Sequence, residues 1–348
     1  SGAAAAAGYT TVCAMPNLTP APDTPAHLAE EQAIIDRDAK IQVLPFASIT
    51  KGRKGSGELV DFEALSQKVV GFSDDGCGVQ DEGLMREAMA RCKALNKVIS
   101  AHCEVNDLLN GGYIHDGAYC KAHGHRGISS ASEWKMIERD CRLASDTGCR
   151  YHVCHISTKE SVEVIREAKK SGVPVTCETG PHYLVLCDED LQEDGRFKMN
   201  PPLRSRSDRE ALLEGVADGT VDVIATDHAP HSAAEKEKGL SGSAMGIVGL
   251  ETAFPVLYTK LVRTGVMTFE KLIQMMAVRP REIFDLPVGE IVPGAPADLC
   301  LLDTDCNWTV DPDKFVTMGR ATPFAGWQVQ GKNRLTVWRG EVVYEALR

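Results

Sequence analysis

Short apolar, β-branched runs alternate along most of this chain with longer stretches whose apolar residues recur every three or four positions. The short runs, read as strands, are Tyr9–Ala14, Ile41–Phe46, Val69–Phe72, Val98–Ala101, Arg150–Cys154, Val173–Glu178 and Val221–Ala225. Helical patterns lie between several of them, at Glu82–Leu95, Ala131–Thr147 and Lys159–Lys170. Apolar strands separated by helices make βαβ units around a parallel sheet. Seven such units come one strand short of a (β/α)8 barrel, a fold of about 250 residues. The stretch Ser1–Gly8 is alanine-rich, helix-forming and closed by a glycine suited to a C-cap. The absent first barrel strand is expected in a segment upstream of it, because a barrel lacking one strand leaves two unpaired edges and an open interior.

Leu250–Thr264 and Thr268–Met276 read as helices that complete the barrel. From Gly289 the texture changes. Ile291–Pro296, Ala297–Leu302 and Leu335–Tyr344 suggest short strands and turns with no helix between them. The expected organisation is a TIM-type α/β barrel over residues 1–288 and a small β-rich appendage, part of a β-sandwich, over 289–348. An appendage of that size is too short to stand alone.

Composition narrows the partners. Of 348 residues, 43% are hydrophobic and 25% charged, as in an ordinary globular protein. The net charge of −11 argues against nucleic acid or an anionic membrane as the main partner, since both call for a basic surface. No apolar run approaches the roughly 20 residues of a membrane span. The 12 cysteines are spread singly, without a CxxC pair, which suits core thiols in a reducing, cytoplasmic compartment.

In a barrel the active site is built at the C-terminal ends of the strands, so polar residues should gather there. The successive ends read Met15-Pro16-Asn17, Ser73-Asp74-Asp75-Gly76, Ala101-His102-Cys103-Glu104, Cys154-His155-Ile156-Ser157-Thr158, Glu178-Thr179-Gly180-Pro181-His182 and Thr226-Asp227-His228-Ala229-Pro230-His231. One histidine beside an apolar run is usually a core or capping residue, and the last string alone could be a polar turn with Asp227 capping a helix. Carboxylates and histidines converging on one mouth point instead to a metal-assisted hydrolytic site. There a carboxylate ligates metal or moves a proton, and an imidazole ligates or bonds substrate. Oxygen and imidazole donors together suit Zn2+, with Mn2+ or Co2+ as replacements.

These strings, with Asn200-Pro201-Pro202-Leu203-Arg204 and Gly246-Ile247-Val248-Gly249-Leu250-Glu251-Thr252, stand in the order found in bacterial dihydroorotases of the amidohydrolase superfamily, and the resemblance runs the length of the chain. It implies a binuclear zinc enzyme of pyrimidine biosynthesis that interconverts N-carbamoyl-L-aspartate and L-dihydroorotate through hydroxide attack on a cyclic amide. By resemblance Asp75 bridges the two metals, His102 and His155 bind one, and Asp227 binds the other and shuttles the proton. Asn17, Asn200, His231 and the backbone near Met245-Gly246 look to the substrate. The family also implies a homodimer and association with aspartate transcarbamoylase. Asp74 should be a capping neighbour, because successive strand residues face opposite ways. His152, three before His155, is expected to be structural. His115, His123, His125 and His182 take no role.

The family's first barrel strand ends in a His-x-His-x-x-Arg-type element, and none follows a strand here; His123-Gly124-His125 lies between the fourth and fifth strands. Without it the second zinc keeps only Asp227 and the bridging Asp75, and the expectation for these residues alone is little hydrolase activity. Hydantoinase or dihydropyrimidinase and allantoinase are alternatives, but usually bridge their metals with a carboxylated lysine, and no lysine stands at the tip of Val69–Phe72. An inactive dihydroorotase-like scaffold subunit for aspartate transcarbamoylase is the reading from another class. The polar segment 231–242, carrying Glu235, Lys236, Glu237 and Lys238, is expected to be a mobile lid or a solvated loop.

Overall fold

The computed structural model describes residues 1–346. Its parallel wall begins with β1 (Thr11–Ala14) beside β2 (Gln42–Pro45), in register Thr11 to Gln42. A bridge from Ala47 to Phe72 carries the wall to β3 (Gly71–Phe72), which pairs with β4 (Val98–Ala101). A side excursion places β5 (Ile114–His115) beside β6 (Gly127–Ile128). The wall then continues through β7 (Tyr151–Val153), β8 (Val175–Thr179) and β9 (Val223–Ile224), all parallel, to a last bridge between His228 and Ile247. Parallel neighbours in sequence order with helical crossovers are the wall of a (β/α) barrel, as the hydrophobic pattern predicts.

The helices form where pattern and caps agree. Lys159–Lys170 starts at Thr158, whose hydroxyl accepts from Ser161 N, and buries Val162 and Ile165 against the wall. Ala131–Thr147 buries Met136, Ile137, Cys141, Leu143 and Ala144 on one stripe and stops at Gly148, whose φ of 67° suits a residue without Cβ. Arg206–Asp218 opens with a reciprocal Ser205–Asp208 capping box. Asp208 also accepts from Lys159 N at 2.9 Å, tying two crossovers together. Each closes one βα unit by burying an apolar stripe of about 100°.

Four details differ from the sequence reading. Leu250–Leu257 contains Pro255 and passes into a π-turn at Tyr258–Val262, closed by Arg263 N donating to Tyr258 O at 2.9 Å, with Thr259 Oγ1 donating to Pro255 O at 2.6 Å. Ile291–Pro296 forms no strand; Pro293 lacks a donor, Gly294 has φ 91°, and Ile291 is 88% exposed. The tail is an antiparallel sheet of two 11-residue strands, β10 (Leu299–Thr309) and β11 (Gln328–Trp338), followed by β12 (Glu341–Glu345). Leu335–Tyr344 is therefore a hairpin turning at Arg339-Gly340, where both φ angles are positive.

This sheet is anchored to the barrel side of the molecule. The helix Gly2–Ala6 presents its last carbonyls to it, with Thr336 Oγ1 donating to Ala5 O at 2.7 Å and Asn333 Nδ2 to Ala6 O at 3.1 Å. Val310, Phe324 and Val329 join the same hydrophobic core as the barrel residues. All 12 cysteines are unpaired and eight are buried, as small core hydrophobes are. Among the described residues no helix is long and apolar enough to cross a membrane.

Candidate metal centre at the barrel mouth

Beyond β3 the chain turns through two adjacent aspartates with different employment. Asp74 is buried and accepts from the backbone N–H groups of Ile49, Thr50 and Gly55 at 2.8, 3.1 and 3.1 Å, so it fastens the 49–55 loop. Asp75 is thereby turned to the mouth, where Asn17 Nδ2 donates to its Oδ2 at 2.9 Å. Burial alone would raise the Asp75 carboxyl, but the His155 bond, the charges of His102 and His155, and the Asn17 amide hold it well below the ordinary range.

His102 leaves the tip of β4 and His155 the tip of β7, and both rings are almost fully buried. His102 Nδ1 and His155 Nε2 stand 3.1 Å apart, and His155 Nε2 lies 3.6 Å from Asp75 Oδ1. The three side chains offer one nitrogen, one nitrogen and one oxygen within 4.8 Å of one another. Two nitrogens on one tetrahedral divalent ion, at about 2.0–2.1 Å each, sit about 3.3 Å apart, close to the spacing here. His155 Nδ1 is buried without a partner. The donor set therefore fits a divalent cation.

Asp227 follows β9 on the same rim, outside the three-residue cluster but close enough that its charge acts on His155. Burial opposes charging His155, yet Asp75 and Asp227 overcome it and lift the imidazole to about 9. Burial pushes the Asp227 carboxyl up to about 6, against the pull of His155. His155 and Asp227 also share a rare backbone state, with φ of 33° and 44°. Such left-handed non-glycine residues cost energy and collect where side chains must be aimed.

The residues read from sequence as substrate contacts surround this centre. Asn17 is exposed and engaged with Asp75. Asn200 reaches the cluster, its Nδ2 donating to Glu104 Oε2 at 2.7 Å and lying 3.4 Å from His102 Nε2, while its Oδ1 is buried and unpartnered. His231 Nε2 bonds Met245 O at 2.8 Å, and Gly246, at φ 135°, leaves no room for a Cβ beside Ala229 O. His152 is occupied by Thr176 Oγ1 at 2.8 Å and Glu178 Oε2 at 3.1 Å. His123 and His125 stand elsewhere, stacked with Tyr119, His125 bonding Glu193 at 2.7 Å.

Several supporting residues carried no role in the sequence reading. Glu104 orients Asn200 and lies 3.8 Å from His102 Nε2; its place two residues after His102 at a strand tip was the available signal. Glu133 and Arg204, both buried, brace the turn after His155; Glu133 stands in the first turn of Ala131–Thr147, where an acidic residue reads as an ordinary helix start and gives no sign of this contact. Within the segment 231–242, a Ser232–Glu235 capping box starts the short helix Ala233–Lys236, Gly239–Gly242 forms a second turn, and Lys236 is buried.

A dihydro-orotase-like family model matches residues 1–161. The chain is 52% identical over 345 residues to the dihydroorotase of Bacillus caldolyticus, covering 99% of this chain and 81% of that protein. It is 52% identical over 344 residues to the dihydroorotase of Listeria innocua, covering 98% and 80%. The solved L-hydantoinase (dihydropyrimidinase) of Arthrobacter aurescens matches with a TM-score of 0.86 at 27% identity, over 99% of this chain and 79% of that one. The D-hydantoinase of Thermus sp., at 21% identity, shares the fold with a TM-score of 0.84, over 99% and 80%. These matches agree with the ordered strand-tip motifs on an amidohydrolase-type barrel, and the chain belongs to the dihydroorotase family.

Proposed function

We propose that this chain is a zinc-dependent cyclic amidohydrolase of the cytoplasm, interconverting L-dihydroorotate and N-carbamoyl-L-aspartate. The observation that carries the reading is the convergence of Asp75, His102 and His155 at the end of the barrel where Asp227 also stands. Asp75, His102 and His155 would hold one zinc, and Asp75 and Asp227 would face a second. Bound zinc would acidify a water molecule and polarise the ring amide.

The chain's own residues supply the remaining chemistry. Asp227, lifted to about 6 by burial, is suited to take a proton from the attacking water and return it to the ring nitrogen as the C–N bond breaks. The product gains a carboxylate and keeps the carbamoyl group. Asn200 Oδ1, a free buried acceptor, would take a ring N–H, with Asn17, His231 and the Met245-Gly246 backbone around the rest of the ring and its carboxylate.

The test incubates the purified protein with N-carbamoyl-L-aspartate, L-dihydroorotate, hydantoin and dihydrouracil, following each by chromatography, with zinc per chain measured on the same sample. Interconversion of the first two supports the reading. Turnover of hydantoin or dihydrouracil alone would move it to the hydantoinases, and zinc without any turnover would favour a scaffold subunit.

A further inference from the structure

Lys236 is 6% exposed, and among the described residues no carboxylate stands within ion-pair distance of it. Burying an ammonium without an anion is costly unless every N–H is used. Here all three are. Nζ donates to Lys198 O at 3.0 Å, Ala244 O at 2.7 Å and Gly246 O at 2.7 Å, joining two stretches of chain.

Both stretches lead to the mouth. Lys198 lies two residues before Asn200, and its carbonyl also accepts from Gly246 N at 3.1 Å, so one oxygen is shared by the ammonium and the backbone it fixes. Between Ala244 and Gly246 stands Met245, whose carbonyl holds His231 Nε2. The packing has no slack, since a Cβ on Gly195 would run into Lys236 O and Ser243 Oγ. Resting on the functional reading above, we propose that Lys236 is a positioning residue for substrate recognition: its ammonium locks the 244–246 backbone to Lys198 and so sets His231, Gly246 and Asn200 around the substrate.

The charge itself matters. A neutral amine has two N–H groups and would turn its lone pair on the third carbonyl. Burial and the Lys198 ammonium lower Lys236 to about 8, with Asp194 opposing. Lys198 and Asp194 face it from the neighbouring turn. On its own segment Glu235 is taken by Ser232, and Glu237 and Lys238 are exposed. The clamp is therefore expected to loosen as pH rises through about 8.

The experiment compares wild type with Lys236→Met by amide hydrogen exchange without substrate and by steady-state kinetics. Expected for the variant are exchange at Ala244 and Gly246 at least tenfold faster, a KM for dihydroorotate at least tenfold higher, and kcat within threefold of wild type. A folded variant with unchanged exchange or unchanged KM overturns the proposal. Should Lys236→Met fail to fold, Lys236→Gln, which keeps two of the three N–H donors, takes its place: faster exchange at Ala244 and Gly246 with a raised KM supports the clamp, and unchanged exchange or KM overturns it. Should the wild type turn over no dihydroorotate, the functional reading falls, and exchange at Ala244 and Gly246 decides the clamp independently.

Discussion

Asn200 gives its side-chain amide to Glu104 Oε2 at 2.7 Å, and its Oδ1 is left buried with no partner. An unmet buried acceptor is expensive, so its persistence points to a ligand N–H as the partner. Glu104→Ala releases the amide to rotate. The expected result is a KM for dihydroorotate about tenfold higher, equivalent to about 1.4 kcal/mol or one hydrogen bond, with a smaller change in kcat. An unchanged KM would show that Glu104 does not orient Asn200.

Glu133 acts at greater distance from the mouth. Its carboxylate accepts from the N–H groups of Ser157 and Thr158 at 2.9 and 3.0 Å and from Ser161 Oγ at 2.6 Å, while Arg204 lies 3.8 Å away. These bonds hold the turn that directly follows His155, itself left-handed at φ 33°. Glu133→Ala leaves Arg204 buried without the nearest of its counter-charges, with Asp208 and Glu104 remaining, a loss of about 3 kcal/mol. Urea denaturation should report that loss, and a midpoint equal to wild type would remove Glu133 from the support of the site.

How far the sequence disclosed this molecule depends on how local each signal is. The pattern of apolar runs marks β4, the helices Ala131–Thr147 and Lys159–Lys170, and the strand tips, because periodicity and caps are short-range properties. It misplaces Ile291–Pro296, where an apolar string meets a proline and a positive-φ glycine, and misses β5 and β6, two residues each. Asp75, His102 and His155 stand out as polar endings of apolar strands. Glu133 and Lys236 do not, since their roles come from carbonyls and amides brought near by the crossovers, and only three dimensions show them.

Glu31 introduces a pH dependence apart from the site. It is buried on the helix Pro25–Asp38, its Oε2 has no partner, and burial lifts its carboxyl to about 7. The folded form thus favours the proton that the unfolded chain releases near 4.5. Glu31's contribution is whole below about 4.5 and is lost as pH rises to about 7. Glu31→Gln keeps the shape without the charge, so the variant should be more stable than wild type at pH 8, by about 1–2 kcal/mol, and equal to it at pH 4. Denaturant midpoints at both pH values check this; a gain equal at both would place the cause outside ionisation.

Removing metal tests the centre without a catalytic assay. His102 Nδ1 and His155 Nε2 face each other at 3.1 Å beside Asp75. An ion held there stabilises the folded chain by RT ln(1 + [metal]/Kd), about 4 kcal/mol at a thousandfold excess over Kd. A strong chelator should therefore lower the melting temperature of the metal-loaded wild type, and added zinc should restore it. His155→Ala removes one of the three donors, so its melting temperature should be nearly indifferent to both. A variant that responds to chelator and zinc as fully as wild type would mean that the stabilising ion binds elsewhere. A wild type that responds to neither would mean that the three side chains hold their geometry without an ion, through the Asn17 and Glu104–Asn200 bonds around them.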